Sequence, residues 1–101
     1  MKLTNEFEPI RQWANDRSLY LKGDIQTQYL KLLEEAGELS KAILKRDQEE
    51  IIDAIGDCVV VLTNLSHFAN VDIEYCINSA FDQIKNRKGS MINGTFVKND
   101  V

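Results

Sequence analysis

Glu50-Ile51-Ile52-Asp53-Ala54-Ile55-Gly56-Asp57-Cys58-Val59-Val60-Val61-Leu62 is the stretch whose reading decides the fold of this chain. Its acids, Glu50, Asp53 and Asp57, recur at spacings of three and four, the repeat of one helix face. The residues between them are apolar on nearly every side, which marks a largely buried helix. Val and Ile lower helix propensity, so a buried strand over 58–62 is the competing reading. The helical phase continues towards Asn70, and a helix over 48–70 is the expectation.

Working outward, Asp47 stands where a helix cap belongs. Glu50 follows three residues later, close to a capping box, which gives Glu50 a purely local alternative role. Asp24 caps a long preceding helix, 24–46. Asp72 opens another, 73–88, which Gly89 stops. A first helix over 6–17 takes Thr4 or Asn5 as cap and tolerates Pro9 in its first turn. Its stripe is Phe7, Ile10, Trp13 and Ala14. Residues 15–23 form a connecting loop. From Ser90 the tail is irregular apart from a turn at Asn93-Gly94. The expectation is one all-α domain over 1–101, a four-helix bundle type.

Composition agrees. The chain has 101 residues, 44% of them hydrophobic and 28% charged, with 5 Gly and 1 Pro. Disordered and fibrous classes are excluded. No uncharged run reaches the roughly 20 residues of a membrane span, and no signal-peptide pattern follows Met1, so no membrane association is expected. Cys58 and Cys76 show no metal-ligand spacing. They read as buried, reduced thiols in a cytoplasmic protein, and zinc is excluded.

The formal charge is −4, from 16 acids and 12 bases. That argues against a nucleic-acid polymer as partner. Position says more than the total. Glu34, Glu35, Glu38, Asp47, Glu49, Glu50, Asp53 and Asp57 lie in one short segment, offset only by Lys41, Lys45 and Arg46. From residue 85 onward, Lys85, Arg87, Lys88 and Lys98 face the single acid Asp100.

Stepping about 100° per residue from Glu34 puts Lys31, Glu38 and Glu35 within about 40–100°, one quadrant of the helix. Leu32, Ala36 and Ile43 fall near about 160–200°, the expected core side. On the next helix Asp53, Asn64 and Asp57 share a stripe at about 300–340° from Glu50. Like charges so spaced repel, and a buried carboxylate is costly unless neutralised. A hard divalent cation such as Mg²⁺ would neutralise them. Against this stands a solvated acidic face for Glu34, Glu35 and Glu38. Gly37 and Gly56 cost about 1 kcal/mol each inside helices, and suggest a backbone or ligand approaching closely. A di-iron bundle needs Glu-x-x-His pairs, which are absent. His67 reads as a packed side chain.

Lys31-Leu32-Leu33-Glu34-Glu35-Ala36-Gly37-Glu38-Leu39, followed by Glu50-Ile51-Ile52-Asp53-Ala54-Ile55-Gly56-Asp57, resembles the MazG-like nucleoside triphosphate pyrophosphohydrolases of the small single-domain phage and Gram-positive type. Their pattern is Glu-Glu-x-x-Glu, a gap, then Glu-x-x-Asp. Glu50-x-x-Asp53 fits it literally. The aspartate that follows Gly and precedes the apolar run is instead Asp57, and in that register the earlier acid falls on Ala54. The resemblance implies hydrolysis of a (d)NTP to a monophosphate and pyrophosphate. It also implies Mg²⁺, or Mn²⁺ in its place, held by Glu35, Glu38, Glu50, Asp53 and Asp57. Glu34 or Glu35 would act on the water. Phosphate partners would be Lys31, Lys85, Arg87, Lys88 and Lys98, although 85–88 also reads as a favourable helix C-terminal cluster. Trp13 and Tyr20 are candidates for stacking on the base, with a core role as the alternative for Trp13. The resemblance further implies a homodimer or homotetramer. Two other readings stay open: a relative acting on phosphoribosyl-ATP, dUTP or dCTP, and a catalytically silent helical oligomer that binds nucleotides or protein.

Overall fold

A computed structural model describes residues 1–99; Asp100, the acid of the basic end, lies outside them. The elements are α1 (Glu8–Asp16), α2 (Leu19–Lys22), α3 (Ile25–Lys45), α4 (Gln48–Phe68), α5 (Ile73–Ile84), β1 (Gly89–Ile92) and β2 (Thr95–Lys98). The chain is mainly helical, as its periodicity indicates, and 58–62 lies inside α4 rather than in a strand.

The centre is the antiparallel pair α3 and α4. Asp24 caps α3 through the Thr27 amide at 2.7 Å, and Asp47 caps α4 through the Glu50 amide at 3.1 Å. Between the helices Arg46 takes a left-handed backbone, φ 55°, and the Asp47 amide donates to the Ala42 carbonyl at 3.1 Å. That bond occupies the amide which a capping box would offer to Glu50. The Glu50 carboxylate therefore has no capping role.

Small residues let the helices approach. Ala42 of α3, Ala54 and Val61 of α4 and Ala14 of α1 are the buried apolar side chains. The core-facing side of α3 keeps Leu32, which is half-buried, but not the rest of the expected Leu32, Ala36 and Ile43 face. It is rotated towards Glu35, Leu39 and Ala42, leaving Ala36 and Ile43 exposed. By length and composition α4 would suit a membrane span. Glu49, Glu50, Asp53 and Asp57 on it, and the packing of α1, α2, α3 and α5 around it, make it the central helix of the bundle instead.

Other boundaries shift for local reasons. Phe7 rather than Thr4 or Asn5 precedes α1, with no side-chain cap; Thr4 instead bonds Glu6. The expected 15–23 loop contains α2, turned by Ser18 at φ 61°. Tyr20 docks it: the hydroxyl donates to Asn64 Oδ1 at 2.7 Å and the ring stacks on His67 at 3.6 Å. Helix α5 ends at Ile84, short of 88. The tail is not irregular but a hairpin, paired Gly89 to Lys98 and Met91 to Phe96, and turned by Asn93-Gly94, both at positive φ. Such a pair favours the two-residue turn that matches strand twist.

The single chain is open. Its Cα radius of gyration is 16.1 Å, where about 13 Å is usual for this length. The outer side of α4, with Ile52 (62% exposed), Ile55, Val59 and Leu62, is bare. A Cβ at Gly37 or Gly56 would meet nothing within 4 Å, so no close approach is made there within the chain.

Arg11 joins α1 to α5 through a two-pronged pair with Glu74, at 2.8 and 2.7 Å. That guanidinium holds the Glu74 carboxyl below its ordinary range. A lowered folded pKa stabilises above the ordinary glutamate value, and the contribution disappears as pH falls through the lowered one. Replacing Glu74 by Gln should cost about 1–2 kcal/mol at pH 7, allowing for partial exposure. In urea titrations the wild-type advantage should shrink as pH falls below the ordinary glutamate value of about 4.3.

Candidate functional site

The tight turn at Arg46 places the C-terminal half of α3 against the N-terminal half of α4. Glu35 and Glu38 on one helix then meet Glu50, Asp53 and Asp57 on the other. Together with Lys45 and Ala54 they line a polar cleft of about 230 Å³. The two sequence registers converge here. Positions 50, 53 and 57 form one stripe, so both Asp53 and Asp57 face the cleft, and Glu50 supplies the acid that Ala54 lacks.

Charge is unevenly compensated. Glu35, whose side chain is 13% exposed, pairs with Lys31 at 3.4 Å, and Lys31 also lies 3.6 Å from Glu34. These carboxylates raise the Lys31 pKa. Lys45 Nζ stands 4.0 Å from Glu50, and Lys41 3.7 Å from Glu38. Asp53 and Asp57 have no cationic partner within salt-bridge distance among the described residues. Burial, then the charges of Asp53 and Glu35, push the Asp57 carboxyl up from its ordinary value.

Asp57 also lines a second hollow of about 470 Å³ with Pro9, Ile10, Trp13 and Val60. Trp13 and Val60 continue into a third, about 330 Å³, which reaches Gln28, Lys31, Glu34 and Asn64. A groove thus runs from the acidic cleft past Asp57 to an apolar wall. Trp13 is 48% exposed on it, not a core residue. The Arg17 guanidinium lies over its ring at 4.4 Å.

The expected site residues therefore separate. Glu35, Glu38, Glu50, Asp53 and Asp57 come together. Glu34 and Lys31 face the Trp13 groove. Tyr20 is occupied by Asn64 and His67. Lys85 pairs with Asp82 at 3.1 Å, and Arg87, Lys88 and Lys98 sit around the hairpin, outside the cleft of their own chain. Lys45 and Arg17 were not singled out by sequence. Lys45 had a usable signal, since it lies seven residues beyond Glu38 on the same helical stripe; Arg17 had none.

Clustered carboxylate oxygens, one with its charged form disfavoured by neighbours, are donors suited to a hard divalent cation. No three such groups converge to ligating distance among the described residues.

Comparison with known proteins identifies the family. The family model for the MazG nucleotide pyrophosphohydrolase domain matches residues 24–91. The uncharacterized 18.2 kDa protein in the rep-hol intergenic region of Haemophilus phage HP1 (strain HP1c1) is 43% identical over 63 residues, covering 62% of this chain. The chain spans only 39% of that relative's length by this match. No solved structure matches. Helix α1 with Trp13, and strand β2, lie outside the family match.

A group whose folded pKa is raised destabilises at neutral pH, and the stability returns as pH falls through that pKa. With chelator present, Asp57→Asn should therefore melt above the wild type at pH 7, and the wild type should gain stability on mild acidification. Added Mg²⁺ should raise the wild-type Tm and leave that of Asp57→Asn nearly unchanged.

Proposed function

Because this chain belongs to the MazG nucleotide pyrophosphohydrolase domain family, we propose that it hydrolyses a nucleoside triphosphate between the α and β phosphates, giving a monophosphate and pyrophosphate. The observation that carries this reading is the convergence of Glu35, Glu38, Glu50, Asp53 and Asp57 on one cleft that opens into the Trp13 groove.

In this reading the residues that would hold Mg²⁺, or Mn²⁺ in its place, come from Glu35, Glu38, Glu50, Asp53 and Asp57. When bound, the ion neutralises phosphate charge and lowers the pKa of a water. Glu35, the least exposed of the cleft glutamates on α3, accepts the proton of the attacking water. Glu34 faces the groove and orients the nucleotide. Oxygen from water bonds to the α phosphorus, the bond from that phosphorus to the α–β bridging oxygen breaks, and its electron pair leaves on pyrophosphate, which gives the monophosphate. Lys45, which lines the cleft, and Lys31, which pairs with Glu35 from the Trp13 groove, offset the anionic charge. Trp13 offers an aromatic face to the base, and the hydrophobic side of the groove excludes water around it.

A homodimer, alone or paired into a tetramer, completes the proposal. The bare stripe Ile52, Ile55, Val59 and Leu62 and the open glycines Gly37 and Gly56 supply an apolar surface that lets another backbone approach. A nucleic-acid polymer and a membrane are not among the proposed partners, and the cytoplasm is the proposed location.

A panel of (d)NTPs, with dUTP, dCTP and phosphoribosyl-ATP included, tests the activity by pyrophosphate release in Mg²⁺. The expected result is turnover of at least one of them. Absence of turnover with all, while calorimetry shows nucleotide binding, would replace the enzyme with a silent binding protein. Asp57→Asn and Glu38→Gln should each lower kcat/KM about 100-fold or more. Trp13→Ala should act mainly on KM, by about 5- to 100-fold, the scale of one lost stacking contact.

A further inference from the structure

The hairpin β1–β2 touches none of the five helices of its own chain. All of its residues are exposed, including Met91 (67%), Ile92, Phe96 and Val97. The register puts Met91 and Phe96 on one face and Ile92 and Val97 on the other, so both faces are apolar. A lone two-stranded hairpin is marginal in water and needs a further surface to rest on.

Charge indicates which surface. No acid lies between Asp82 and Asp100, while Lys85, Arg87, Lys88 and Lys98 do. Of these, Arg87, Lys88 and Lys98 have no ion-pair partner among the described residues. The α3–α4 cleft has the opposite excess, and is flanked by exposed apolar helix surface. Area is also available. The chain exposes 7810 Å², against about 5,800 Å² for a compact monomer of this mass. That excess of about 2,000 Å² is ample for one side of an obligate homodimer.

We infer that the hairpin is an exchanged arm. It docks on the helices of a second copy of this chain and brings Arg87, Lys88 and Lys98 to the rim of that copy's acidic cleft, as cationic partners for the phosphates. The apolar faces of the arm supply the docking, and the basic residues supply the complementarity. Each cleft is then incomplete without the other chain. The inference rests on the pyrophosphohydrolase reading for what the basic residues do, and on geometry and charge alone for where they go.

A photoreactive phenylalanine analogue placed at Phe96 of the full chain tests the docking without reference to activity. Cross-linked dimers with attachment on α3 or α4 of the second copy are expected. Attachment within the same chain, attachment to the other hairpin, or no cross-linked dimer would overturn the inference. Activity tests the role. The triple variant Arg87→Gln, Lys88→Gln, Lys98→Gln should lose about 10- to 100-fold in kcat/KM, the scale of lost hydrogen bonds to charged groups. Co-expressed with Asp57→Asn, it should recover about a quarter of wild-type activity, because half of the dimers then hold one site with both parts intact. Failure to recover means that each arm serves its own cleft, which contradicts the exchange. Were no nucleotide hydrolysed at all, the proposed function would fall, and the cross-link would still decide the docking.

Discussion

The close packing of α3 on α4 is the constraint on which the rest of the molecule depends. Ala42 and Ala54 are buried at that contact, so the helices approach without large side chains to hold them apart. The carboxylates on their flanks are thereby forced into a common gap. Burial, and after it repulsion from Asp53 and Glu35, raises the Asp57 pKa, a cost that the turn at Arg46 and the capping of both helices must outweigh. A helix pair held less tightly would let the acids spread into solvent and lose the cleft.

From that pair the remaining elements follow as supports. Helix α1 is tied to α5 by the Arg11–Glu74 pair and carries Trp13 to the edge of Asp57. Helix α2 anchors through Tyr20 on Asn64 and His67, which leaves α1 leaning across α4. The buried polar groups Thr63 and Ser66 bond carbonyls of their own helix, so α4 stays satisfied along its length. What is missing is bulk. Four small or medium apolar residues make up the buried core among the described residues, while Leu and Ile side chains are half-buried or exposed. A chain of this kind places its chemistry with one helix pair and leaves much apolar surface for association.

Several features were legible in the residues. The spacing of Glu50, Asp53 and Asp57 marks α4 as a helix against the β-branched run that follows, because a strand would have thrown alternate acids to opposite faces. Asp24 and Asp47 mark their helix starts because a short acceptor side chain can reach the third amide onward. The hairpin carried a signal in Asn93-Gly94, yet four-residue strands are too short for alternation to declare itself. Ala36 and Ile43 look more apolar than Glu35 does, yet they lie on the exposed side of α3. Packing against α4 chose Ala42, and the acid came inward with it.

The sequence alone determined the helices, the two acidic stripes and the likeness to a pyrophosphohydrolase motif, all of which are read from short local blocks of residues. Only the tertiary structure decided that Asp53 and Asp57 share one cleft, that Lys45 guards it, that Trp13 is open beside it, and that the basic end stands away from it. Those facts depend on how far one helix turns about its axis against another. That rotation is set by the sum of many small contacts between distant residues, and no local spacing encodes it.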